Sequence, residues 1–135
     1  MTHCTPAQTA VLNTLRQQNQ PISAQALHGQ MRTQQRIGLA TIYRALDALK
    51  RLGRVQHRTT LAGETLYNTV EQDQHYLTCL HCGQSFPLKA CPLKGLQLQP
   101  QPSNSFEVFY HTLEFFGLCQ PCQVETTPEE KHLEV

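Results

Sequence analysis

The sequence predicts an α+β chain in two parts: three short helices with a two-stranded hairpin, then a smaller carboxyl-terminal α/β layer. Three observations carry this. Apolar residues recur at helical spacing up to Leu52, and short β-branched and aromatic runs follow. Charge divides at residue 60: residues 1–60 hold eight Lys or Arg against one acid, Asp47, leaving +7, and the remainder holds three bases against nine acids, leaving −6. Two C-x-x-C pairs, Cys79-Leu-His-Cys82 and Cys119-Gln-Pro-Cys122, lie in the acidic half. A chain of 135 residues fits one domain or two small ones. Small domains leave a large fraction of their surface unburied, so a metal staple or a dimer interface is expected to add stability.

The first helix runs from Thr5 to Gln18, with Pro6 in its first turn and Val11, Leu12 and Leu15 on one face. Ser23 can cap a second helix whose Ala24, Leu27 and Met31 form a buried stripe, with His28 packed beside it. The third helix is the best defined. Gly38 stands near its start, Ile42, Ala45, Leu46, Leu49 and Leu52 line one side, and Gly53 ends it. Its other face displays Thr41, Tyr43, Arg44 and Arg51. The runs 55–58 and 65–67, joined by a turn at Ala62-Gly63, complete a winged helix-turn-helix over residues 1–69.

A winged helix explains the basic half, since a polyanion is the natural partner of such a charge. In this architecture the third helix enters the major groove of double-stranded DNA. Arg44 and Tyr43 are the expected base readers, because arginine can donate two hydrogen bonds to a guanine edge. Arg54 and Arg58, just past the helix, are expected on phosphates, where they add affinity without sequence information. The bland alternative is a solvated basic face.

Residues 70–74 are polar and acidic and read as a hinge, followed by a domain over 75–123 and a loose tail over 124–135. Strands are expected at Tyr76-Leu77-Thr78 and from Ser85 to Leu88, a short helix from Cys91 to Leu96, a loop from Gln99 to Ser105, and a long strand from Phe106 onward that delivers the chain to Cys119. The two C-x-x-C pairs read as one structural Cys4 zinc site of Cys79, Cys82, Cys119 and Cys122. Their separation exceeds the usual ribbon gap of roughly 15 to 20 residues, so the segment between them should carry its own structure. Two disulfides or redox-active cysteine pairs are the alternative. Without a leader pattern or an apolar run near the roughly 20 residues of a membrane span, a cytoplasmic, reducing setting is expected, which favours metal ligation. The apolar stretch Val108 to Phe116 exceeds what one short helix covers, and suggests pairing with a second copy. A symmetric homodimer would present two recognition helices to a palindrome.

The segment Gly38-Leu-Ala-Thr-Ile-Tyr-Arg-Ala-Leu46, then Cys79-x-x-Cys82-Gly83, His111 and Gly117-Leu-Cys119-x-x-Cys122, resembles the Fur family of metal-responsive repressors over nearly the whole chain. The phrase Phe109 to Cys119 is similar to the zinc uptake regulators of cyanobacteria in particular. The resemblance implies a homodimeric, zinc-dependent transcription factor that binds operator DNA and usually represses uptake genes. It also implies a sensor site, here with departures. Gln74, Tyr76 and Tyr67 stand where the family often has ligands of one metal site. A neighbouring family site matches Asp73, His75 and His111, with its remaining acidic position near Lys94, which cannot ligate. Cys91, nearby in sequence, can supply the missing donor. The expected sensor set is thus Asp73, His75, Cys91 and His111, a mixed set that favours zinc over harder metals. Its alternative donors are His57, Glu64, His81 and Glu107. Gln8 replaces a frequent family arginine in the first helix.

An enzyme is not expected. Zinc deaminases use H-x-E with a later P-C-x-x-C, whereas this chain has His111-Thr-Leu-Glu114, and four thiolates leave no open coordination position. The rival readings are a peroxide-sensing or other-metal regulator of the same family, and a constitutive DNA-binding protein with purely structural zinc.

Overall fold

A computed structural model of the chain describes residues 3–72, 74–93, 95, 98 and 105–125. The chain divides into two compact units, Met1–Asp73 with Glu107–His111, and Gln74–Phe106 with Thr112–Val135. None of the described helices is long and apolar enough to cross a membrane.

In the first unit, α1 (Pro6–Arg16) opens on a capping box: Gln8 N–H donates to Thr5 Oγ1, and Thr5 N–H donates to Gln8 Oε1, both at 3.1 Å. The Ser23 side chain caps α2 (Ala24–Met31) by accepting from Ala26 N–H. α3 (Leu39–Arg51) has no side-chain cap at Gly38. Packing holds it instead, through the fully buried Ile42, Leu46 and Leu49 and the nearly buried Ala45. These meet Val11, Leu12 and Leu15 of α1 and Ala24, Leu27 and Met31 of α2 in one core. Truncating any of the large aliphatics to alanine costs about 2–5 kcal/mol.

The exit of α3 is a Schellman turn: Gly53 N–H donates to Lys50 O at 3.0 Å and Arg54 N–H to Leu49 O at 2.9 Å, with Gly53 at φ +74°. β1 (Val55–Thr59) and β2 (Thr65–Thr69) pair antiparallel from Val55↔Thr69 to Thr59↔Thr65. Ile22, between α1 and α2, bridges to Tyr67 by two backbone hydrogen bonds of 2.8 and 2.9 Å. The wing is therefore stitched to the helices along its outer edge.

The second unit is built on β3 (Tyr76–Cys79), with β4 (Ser85–Pro87) antiparallel on one edge and β5 (Glu114–Gly117) parallel on the other. A short α4 (Gln120–Glu125) follows. Thr78 Oγ1 bonds the side chains of Ser85 and Glu114, tying all three strands together. On the opposite side of β3, Leu77 registers with Phe86 and Phe115, and all three are exposed.

Three expectations are corrected. No helix forms among the described residues of 91–96: Leu93 N–H turns to Cys91 Sγ at 3.4 Å, and Gly95 at φ +78° leaves the right-handed region. The long strand from Phe106 is reduced to Glu114–Gly117. Aromatic and β-branched content favours extended backbone, but a strand also needs a ladder partner, and both edges of β3 are taken. The tail does not begin at Val124, because α4 continues through Glu125; the expected remainder, 126–135, lies outside the described residues. So do Lys94 and positions 99–104 of the expected loop.

Candidate metal centres and nucleic-acid interface

The turn after β3 returns Gly83 N–H to Cys79 O at 2.9 Å, and Gly83 takes φ +78°, the left-handed value that lets the knuckle close. β5 and the start of α4 carry the second pair to the same place. Donor atoms of Cys79, Cys82, Cys119 and Cys122 all lie within 4.8 Å of one another, and Cys82 Sγ stands 3.9 Å from Cys119 Sγ. A tetrahedral zinc with arms of about 2.3 Å needs sulfurs about 3.8 Å apart. The residues therefore fit that ion.

The thiols also show why a cation is wanted. Cys82 N–H, donating to Cys79 Sγ at 3.5 Å, and then Cys119 N–H hold the Cys79 thiol down at about 5. The Cys119 side chain, then burial, push Cys122 up. Cys82 also rises: against Gln84 N–H, the largest influence and a lowering one, the Cys79 sulfur, burial and the Cys119 sulfur prevail. Four crowded sulfurs cannot share several negative charges unaided, and a divalent ion removes that conflict.

A second group forms at the entry to β3. His75 is only 2% exposed, and its carbonyl accepts Leu88 N–H at 2.7 Å. Cys91 is half-buried, and His111, exposed, is bonded directly to Thr112. Within the second unit, donor atoms of His75 and Cys91 lie within 4.8 Å of each other. Zinc with arms of about 2.0–2.3 Å sets such donors about 3.3–3.6 Å apart, within reach of small side-chain rotations. Asp73, the fourth expected ligand, lies outside the described residues.

Among the described residues, the alternative donors His57, Glu64, His81 and Glu107 join no such group. His57 lies on β1 with its Nδ1 buried and without a hydrogen-bond partner, its ring 6.3 Å from that of Tyr67. Burial, then the Lys50 charge, lowers its pKa. Glu64, in the wing turn, is exposed, as are His81 and Glu107.

On α3, Tyr43, Arg44 and Arg51 are exposed, and Thr41 is half-buried. Arg44 Nη2 donates to Thr41 Oγ1 at 3.1 Å, which aligns the guanidinium along the helix face. Arg54 and Arg58, half-buried, follow at the helix exit and on β1. Sequence reading passed over Asp47. It is exposed on this same face, one turn after Tyr43 and Arg44, and among the described residues it forms no ion pair. A carboxylate there excludes phosphate and can accept from a cytosine amino group; its standing as the one acid of residues 1–60 was the available signal.

The profile of the Ferric uptake regulator family matches residues 2–116. A zinc uptake regulation protein of Mycobacterium tuberculosis is 31% identical over 103 residues, spanning 75% of this chain and 79% of that protein. A ferric uptake regulation protein of Neisseria meningitidis is 29% identical over 90 residues, 66% of this chain and 62% of that protein. The fold is that of the ferric uptake regulator of Pseudomonas aeruginosa, solved with manganese (TM-score 0.65, 19% identity, covering 86% of this chain and 89% of that one). Members of the family bind DNA and act as dimers. The chain belongs to the Ferric uptake regulator family and is a metal-responsive transcriptional regulator, not an enzyme.

Proposed function

We propose that this regulator responds to zinc: a homodimer in the cytoplasm that binds a palindromic operator in double-stranded DNA more tightly when a sensor zinc is held, and so represses zinc-uptake genes. The observation that carries this reading is the second donor pair, His75 and Cys91, standing apart from the four thiols; His111 is proposed as their third donor. A Cys4 site suits an ion kept for folding, whereas a site with fewer thiolates releases its ion more readily. The thiol of Cys91 also favours zinc over manganese or other hard ions. When bound, zinc supplies charge that holds its donors in one tetrahedral arrangement.

Asp73 is proposed as the fourth donor. Asp73 and His75 immediately follow the winged-helix residues, so fixing them restricts the linker between recognition helix and dimer. The exposed row Leu77, Phe86 and Phe115 supports an apolar dimer face. Thr41, Tyr43, Arg44 and Arg51 of two copies would then meet successive major grooves. Allosteric coupling of about 1–3 kcal/mol changes operator affinity roughly five- to 150-fold, and by reciprocity DNA tightens the sensor zinc by the same factor.

The test is zinc per monomer before and after mild chelation, with operator anisotropy in both states. One tightly held zinc and a second, labile zinc required for binding are expected. Operator affinity that stays constant once the first zinc is saturated would sink the reading.

A further inference from the structure

The residues just before the proposed sensor ligands are not slack. Gln72 Nε2 donates to Gln18 O at 2.9 Å and to Arg16 O at 3.5 Å, carbonyls left open where α1 ends. Its Oε1 accepts Thr69 N–H at 3.4 Å, and its own N–H donates to Thr69 O at 3.1 Å. Its carbonyl accepts from Asn68 Nδ2 at 2.9 Å and Gln56 Nε2 at 3.5 Å. Asn68, Gln56 and Thr69 are all buried, so these bonds sit in a sheltered polar network. Alongside, Arg16 and Glu71 make an exposed ion pair at 3.3 Å. The end of α1 and the end of β2 are thus joined through one amide side chain, and α1 packs directly on α3.

We infer that Gln72 is a positioning residue for regulation: it makes residues 70–72 part of the winged-helix body, so that a constraint applied at Asp73 and His75 reaches α3 instead of being absorbed in a loose connection. This rests on the sensor reading above. A connection of three free residues would let the restrained ligands and the DNA-binding unit reorient independently, and the two binding events would lose their coupling. Glu71 is not assigned this role, because an exposed ion pair of long side chains holds position weakly.

The experiment compares the full-length wild type with Gln72→Met, which keeps side-chain length and removes the amide, Gln72→Ala, and Glu71→Ala. For each, operator affinity is measured with the sensor zinc present and removed, sensor-zinc affinity is measured without DNA, and melting is followed. The wild type should show a zinc-dependent gain in the roughly five- to 150-fold range. Both Gln72 variants should fall below about threefold while zinc affinity without DNA and zinc-free operator affinity stay within about threefold of wild type; Glu71→Ala should keep the wild-type gain. A wild-type gain retained in Gln72→Met overturns the inference while leaving the sensor reading intact. So does an equal loss in Glu71→Ala. If Gln72→Ala melts early, Gln72→Met decides. A wild type without any zinc-dependent gain defeats the sensor reading, and this inference with it.

Discussion

The ring of Phe109 occupies the space a side chain on Gly53 would need: a Cβ built there meets ring carbons at 2.6 to 2.8 Å. Gly53 also sits at φ +74° in the turn that ends α3. Gly53→Ala should therefore destabilise the first unit by about 1–2 kcal/mol from backbone strain. Displacement of the ring adds to that cost. Urea denaturation followed by helix signal checks it, and unchanged stability would show that the turn relaxes freely.

Arg44 and Arg58 should fail in different ways. Arg44→Ala is expected to cost about 1–3 kcal/mol on the preferred operator and to flatten the ranking among operator variants. Arg58→Ala should weaken all sequences alike and reduce the salt slope by about one unit. Titrations of both variants against a panel of operators at several salt concentrations separate the two. Uniform loss in both would remove Arg44 from the reading face.

Removing metal should affect the two units unequally. Strong chelation, or Cys119→Ser, is expected to unfold the second unit while the helical core of the first persists, because structural zinc contributes about 10–16 kcal/mol in small peptide sites. Amide exchange would show protection lost in β3, β4 and β5 and kept in α3. Retained protection in β3 after complete zinc loss would mean that the sheet stands by its own packing.

His57 gives the first unit a pH dependence with a definite sign. Its pKa lies below the ordinary 6.5, chiefly through burial and then through Lys50, so the folded state prefers the neutral ring. Such a depressed group contributes stability that is fully present above the unfolded value of 6.5 and is lost as pH falls through the folded value. Denaturation curves between about pH 7 and 5 should show falling stability, with a shallower fall in His57→Gln.

Much of the first unit was legible because its signals are local. Val11, Leu12 and Leu15, and the stripe from Ile42 to Leu49, are buried where helical spacing puts them, and Ser23 caps where a hydroxyl precedes an apolar run. The Cys4 group was legible because ligand chemistry restricts spacing. The second unit was read less well. Strand formation depends on a partner, which the aromatic run 106–113 lacks within the described chain, and Gly95, at φ +78°, does not continue the helix expected after Pro92. Gln72 carried no signal at all: an amide that reaches helix-end carbonyls 54 and 56 residues away obeys no periodicity.

The parallel pairing of β3 with β5 bears on how the protein is made. Cys82 and Cys119 are separated by 37 positions, and the strand that must lie beside Cys79 comes just before the second pair. At roughly 5–20 residues per second on the ribosome, the first two thiols wait about 2 to 8 s for the second two. During that interval the first unit's helical core is already complete in sequence, while Cys79 and Cys82 make up only half of the four-thiol group. The four-thiol group is thus completed only once β5 has been made and laid beside β3.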